Sequence, residues 1–96
     1  MVIGVLRVEF TLHGNASLKG KRSVAQSLKR KMRNKFNVSV AEVESQESHT
    51  RLVLAAATVG TEWAHVEGRL TKCLNMLEAA SPEEITDSSI ELFGAE

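Results

Sequence analysis

From Val2 to Leu12 the chain alternates. Val2, Leu6, Val8, Phe10 and Leu12 share one parity, broken only at Gly4, which is small rather than polar. Ile3, Val5, Arg7, Glu9 and Thr11 hold the other. Period two with β-branched content predicts a strand, and His13-Gly14-Asn15 supplies turn chemistry. The period then becomes helical. Ser17 suits the N-cap of a helix over about 18–35, whose Leu18, Ala25, Leu28, Met32 and Phe36 fall on one side with Val24 at the edge. Gly20 weakens its first turn by about 1 kcal/mol relative to Ala, and Asn37 is the expected stop. Residues 38–45 predict a second strand with two readings of its inward face, since Val38 and Val40 oppose Ala41 and Val43 in parity. Residues 46–50 form a polar hairpin connection. Residues 51–59 predict a third strand, apolar on both faces as a central strand is, although its three alanines are poor strand formers. A second helix is expected over about 62–79, capped by Thr61. It places Trp63, Val66, Leu70, Cys73, Leu74 and Leu77 within an arc of about 100°. Ser81-Pro82 ends it, because the residue before proline avoids helical geometry. Residues 85–93 carry a weaker final strand.

The order is βαββαβ. Right-handed crossovers convert it into a ferredoxin-like α+β fold: a four-stranded antiparallel sheet with two helices on one face, one domain over residues 1–96. Composition agrees, with 43% apolar and 25% charged residues in 96, enough to build a core and too apolar for a disordered chain. No apolar run approaches the ~18 residues of a spanning helix, and the start lacks a basic-then-apolar leader, so a cytoplasmic location without a membrane partner is expected. A single cysteine, Cys73, excludes an internal disulfide and a multi-cysteine zinc site.

Charge changes the picture. The formal total is zero, yet residues 1–41 hold nine Lys/Arg against one acid, while residues 42–96 hold three against eleven. Such asymmetry fits a basic surface for a polyanion, a dipolar protein that pairs with itself or a partner, or two halves that interleave and neutralise each other. The first helix concentrates the basic half, with no acid anywhere in residues 13–41. Lys19, Arg22, Lys29, Arg30 and Arg33 share an arc of about 100° beside the core stripe, with Gln26 among them. Like charges at i,i+3 and i,i+4 weaken a helix by a few tenths of a kcal/mol per pair unless something anionic lies against them. Phosphate backbone is the obvious counterpart, so Lys19, Lys21, Arg22, Lys29, Arg30 and Arg33 are the candidate nucleic-acid or anion contacts. The loop 13–22 is a second anion candidate, since helix N-termini bind anions, although it lacks P-loop spacing.

The other face of the sheet supplies a different candidate. Ile3, Val5, Val53, Ala55 and Ala57, joined by Ala41 or Val43, form an apolar surface opposite the helices. Pairing with a second copy or a protein partner would bury it. Aromatic residues are few, and Phe10, Phe36 and Trp63 sit on apolar faces, which argues against base stacking on the sheet. Catalytic searches return little. His13, His49 and His65 are scattered, Cys73 sits on the core stripe as an inert buried thiol, and Glu42 and Glu44 share one strand face as solvated carboxylates. No glycine pair has the spacing of a KH clamp, and the loop lacks the G-x-G-F-R character of acylphosphatases. No catalytic constellation, metal or cofactor is expected.

Three stretches carry a resemblance: Gly4-Val5-Leu6-Arg7-Val8-Glu9 with Leu12-His13-Gly14, Ser17-Leu18-Lys19-Gly20-Lys21-Arg22, and Asn37-Val38-Ser39-Val40-Ala41-Glu42-Val43. Together they resemble the bacterial YlxP-like family, a domain of unknown function (DUF503), over nearly the whole chain. The resemblance implies a ferredoxin-like fold and, from the operon company of its members, a ribosome-linked role. It implies no catalytic residue. The family's hairpin resembles Q-D-x-W-Q-R, of which Gln46-Glu47-Ser48-His49-Thr50-Arg51 keeps only Gln and Arg. Two expectations follow: a non-enzymatic factor that binds ribosomal or other RNA through its first helix, or a homodimeric interaction module with no nucleic-acid role.

Overall fold

The computed structural model describes residues 1–95. Its elements are β1 (Val2–Thr11), α1 (Leu18–Lys35), β2 (Ser39–Glu44), β3 (Arg51–Gly60), α2 (Trp63–Ala80) and β4 (Glu84–Gly94). The strands form one antiparallel sheet in the order β2-β3-β1-β4. Both helices cover the same face, which makes the fold ferredoxin-like.

β1 is central, paired along its whole length with β3 on one side and β4 on the other. Its alternation is the alternation of burial: Val2, Leu6, Val8 and Phe10 are buried and the intervening residues half-buried. Leu6, Val8 and Phe10 meet Leu52, Leu54 and Ala56 of β3, Ala25, Leu28 and Met32 of α1, and Leu70, Cys73 and Leu77 of α2 in one core. Each large apolar side chain fully removed from water there contributes about 1.5–3 kcal/mol. The same close packing explains the break at Gly4. A Cβ at that position would lie 2.6 Å from Val66 Cγ1 and 2.8 Å from Leu70 Cδ1, so glycine lets α2 approach β1.

α1 begins where Ser17, in extended geometry, accepts a hydrogen bond from the Gly20 amide at 3.0 Å. Gly20 has a steric reason too, since a Cβ there would run into Asn15 Oδ1. α2 starts one residue later than its capping chemistry indicates. Glu62 rather than Thr61 is the N-cap, and it makes no side-chain capping bond.

Two core expectations fail at helix starts. Leu18 and Trp63 are exposed, because each begins its helix at the rim of the sheet. Trp63 lies against the end of β4, with Cζ2 3.0 Å from where a Cβ of Gly94 would be. The ambiguity of β2 resolves with Val40 inward, opposite Ala56, and Ala41 outward. A bulge between Glu42 and Glu44 then inserts one extra residue. The two carboxylates therefore leave the strand on opposite faces, not on the shared face that strict alternation predicts.

Candidate functional site

The cationic helix separates into one buried lysine and an uncovered ridge. Lys21 was expected at the surface among the phosphate contacts, and the structure corrects this. Its side chain is 3% exposed. Nζ donates to the Ser45 carbonyl at 2.7 Å and the Arg51 carbonyl at 3.3 Å. It also lies 2.9 Å from Glu42 Oε2, outside hydrogen-bonding direction, so that contact is Coulombic. The physical reason is register. Positions 18, 21, 25, 28 and 32 follow the three-four spacing of the core stripe, and Lys21 occupies a core slot. Its aliphatic stem fills the slot while its ammonium reaches the polar ends of the β2–β3 hairpin. One of the carbonyls it holds belongs to Ser45, whose φ of 56° is in the left-handed region. Asn15 Nδ2 adds a second tie, donating to the His49 carbonyl at 2.5 Å.

The remaining candidates point outward. Lys19, Arg22, Arg30 and Arg33 are exposed, and Lys29 is half-buried. Among the described residues none of the five has a carboxylate within 4.0 Å, although the second half of the chain is strongly acidic. Glu9, Glu42, Glu44, Glu84 and Asp87 pair with other basic side chains. Like charges therefore stand side by side along α1 with no ion-pair partner among the described residues. Around the loop 13–22, Ser17 occupies one helix amide and Lys21 is turned inward, which leaves Lys19 and Arg22 as its outward cations.

The open face of the sheet divides in two. At one end, cross-strand register places Val59, Ile3 and Phe93 side by side, with Ala57 and Val5 in the next row. Val59 is 56% and Phe93 48% exposed, while Ile3, Val5 and Ala55 are half-buried and Ala57 is exposed. At the other end lies an ionic lattice that the sequence reading missed. Arg7 Nε donates to Glu44 Oε2 at 2.6 Å, and Arg51 Nη2 donates to Glu9 Oε1 at 2.8 Å. Arg7 also reaches Asp87 Oδ2 at 3.4 Å. Arg7 on β1 and Glu44 on β2 meet across β3, where Val53 stands in register between Glu9 and Glu44. That corrects Val53 as a partner-face residue: it is fully buried beneath the lattice. Hydrogen bonds from the guanidiniums hold the Glu9 and Glu44 carboxyls below the ordinary carboxylate range, Arg51 acting on the first and Arg7 on the second. The signal for this lattice is the pair Arg7 and Glu9 on one strand face, legible only once register is known.

Other chemistry is sparse. Cys73 is fully buried, and desolvation pushes its thiol up to about 11, which suits an inert core residue. His13 Nε2 pairs with Glu84 Oε1 at 2.7 Å. Among the described residues no group of three His, Cys, Asp or Glu side chains could hold a metal ion, and no helix is long and apolar enough to cross a membrane.

Comparison with known proteins agrees with this architecture. The chain is 29% identical over 92 residues to the protein YlxP of Bacillus subtilis, covering 96% of this chain and all of that one. Among solved structures, the de novo designed protein Foldit4 superposes with a TM-score of 0.51 at 9% identity, covering 99% of this chain and 98% of the other, a likeness of fold alone. A dimeric protein of unknown function with a ferredoxin-like fold from Bacteroides fragilis gives 0.48 at 10% identity, over 96% and 94% of the two chains. The family described as "Protein of unknown function (DUF503)" matches residues 3–90, and the chain belongs to it.

Proposed function

We propose that this protein is a non-enzymatic factor that binds ribosomal or other RNA through the outer face of α1. Lys19, Arg22, Lys29, Arg30 and Arg33 supply the phosphate contacts, and Lys21 holds the hairpin instead. One observation carries the reading: these five cations find no carboxylate within 4.0 Å among the described residues, in a chain whose formal net charge is zero. Leaving them unpaired costs the helix a few tenths of a kcal/mol per like-charged neighbour, a cost that bound phosphate would reverse. Filter binding to a ribosomal RNA fragment tests it. The Arg22→Glu/Arg30→Glu protein should bind at least tenfold more weakly than the wild type, and equal binding would remove the site.

A second reading rests on a separate observation, the exposed Val59 and Phe93 flanking half-buried Ile3 on the open sheet face. Two copies meeting through this row, with Val5 and Ala57 beside it, would take the apolar patch out of water. Light scattering at micromolar concentration should then give a dimer mass that Phe93→Glu reduces to the monomer mass. A monomer in the wild type would dismiss it. The readings are compatible, since such a dimer leaves both α1 ridges uncovered.

A further inference from the structure

The cleft between the end of α1 and the first half of α2 has features that neither the core nor the α1 ridge explains. It is an open cavity of about 400 Å³ lined by Phe36, Ala64, His65, Gly68, Arg69 and Lys72. That volume lies within the range of small-ligand sites. Three of the six side chains are basic or can become so, and none is acidic. The nearest carboxylate contact is Glu62 Oε2, 3.9 Å from His65 Nδ1 and outside the lining.

Arg69 is held in place without being neutralised. Its Nη1 donates to Thr58 Oγ1 at 2.5 Å and to the Val59 carbonyl at 3.2 Å. The buried Thr58 hydroxyl in turn donates to the Asn37 carbonyl at 2.7 Å. This chain of bonds fixes the guanidinium against the residue following Phe36. Neither Nη2 nor Nε has a partner among the described residues, and Arg69 has no ion pair there. A half-buried arginine with one edge tied to neutral oxygens and the other edge open is preorganised for an anion's paired oxygens.

Gly68 is the independent observation. Glycine in a helix interior is unfavourable, and here no neighbour requires it, because nothing lies within 4 Å of where its Cβ would be. The missing side chain keeps the floor of the cleft open beside the half-buried Phe36 ring. An anion fork, a second cation in Lys72, an aromatic wall and a floor without a side chain together describe a phosphate attached to a flat ring.

We propose that this cleft binds a nucleotide, with the phosphate on Arg69 and Lys72 and the base against Phe36 over Gly68. The nucleotide is either free or part of an RNA strand. The site does not depend on the α1 ridge, and the two fail separately.

Calorimetric titration with AMP, inorganic phosphate and adenosine tests it on the full chain. AMP should bind saturably and at least tenfold more tightly than either phosphate or adenosine. Gly68→Leu should raise the melting temperature while lowering AMP affinity at least tenfold, so a folding defect cannot mimic the loss. Lys72→Glu should weaken AMP similarly. AMP binding no tighter than phosphate, or unchanged by Gly68→Leu, would overturn the proposal. Short single-stranded RNA added to Arg22→Glu/Arg30→Glu distinguishes the sources. Residual binding abolished by Gly68→Leu assigns the nucleotide to a strand, whereas AMP binding alone assigns it to a free ligand.

Discussion

The open sheet face and the outer face of α1 both carry several charged side chains and treat them oppositely. On the sheet, Arg7 and Arg51 are threaded among Glu9, Glu44 and Asp87, so each guanidinium has carboxylate partners. On α1, Lys19, Arg22, Lys29, Arg30 and Arg33 have none among the described residues. The sheet brings together strands from both halves of the chain, so Arg7 of β1 and Arg51 of β3 meet carboxylates from β1, β2 and β4. Along the ridge of α1 no carboxylate of the described residues comes within 4.0 Å, and the nearby Glu83 shares a cleft with Ser23, Ser27 and Lys31 instead. Charge paired within the molecule is spent on register and on covering Val53. Charge left without a partner is available to something outside.

Lys21 sharpens the comparison from within one helix. Truncating it would leave Glu42 and two hairpin carbonyls without their cation, so Lys21→Ala should lower stability by about 3 kcal/mol. Lys19→Ala, two residues away on the exposed side of the same helix, should stay within about 0.5 kcal/mol. Urea denaturation of both variants measures the contrast, and equal effects would erase the distinction between buried and displayed cations.

Acid should weaken the sheet lattice below the ordinary carboxylate range. Glu9 and Glu44 have carboxyls held below their ordinary range by Arg51 and Arg7, so their contribution is present above the unfolded carboxylate pKa of about 4.3. It is lost as pH falls through the lower folded values. Melting temperature followed from pH 7 to pH 2.5 should decline over that window. Glu9→Gln/Glu44→Gln should start lower at pH 7 and decline less steeply. A variant with the wild-type profile would show that the lattice contributes nothing.

The smallest effect reverses the sign. Gln26 lies four residues from both Arg22 and Arg30. Gln26→Glu should stabilise α1 by a few tenths of a kcal/mol through those pairs and weaken RNA binding at once. Thermal melts and filter binding on the same preparation read both; a gain in each would contradict the trade.

Much of this molecule was legible as pattern. Alternation in residues 2–12 identified the inward face of β1, and the 25-28-32 spacing identified that of α1, because burial in a two-layer fold imposes those periods. Whatever departs from the period was not. Strict alternation put Glu42 and Glu44 on one face, and the bulge between them sends one to Lys21 and the other to Arg7. Lys21 shares the charge of the ridge, but its position belongs to the core stripe. Arg7 and Glu44 are 37 residues apart, and only the order β2-β3-β1-β4 brings them together over Val53. Of the basic candidates, Lys19, Arg22, Arg30 and Arg33 are exposed, as positions beside the core stripe allow, and Lys29 is half-buried. The open apolar face was legible in Ile3, Val5 and Ala57 but not in Phe93, whose strand had a weak pattern.

The salt dependence of RNA affinity tests the unpaired ridge most directly. Five phosphate contacts on a single strand predict a slope of log K against log salt of about −3.5, at about −0.7 for each contact. Arg22→Glu/Arg30→Glu should shallow that slope by about 1.4 or more, while Glu9→Gln/Glu44→Gln leaves it unchanged. A wild-type slope near zero, or the same slope in the α1 variant, would contradict the account.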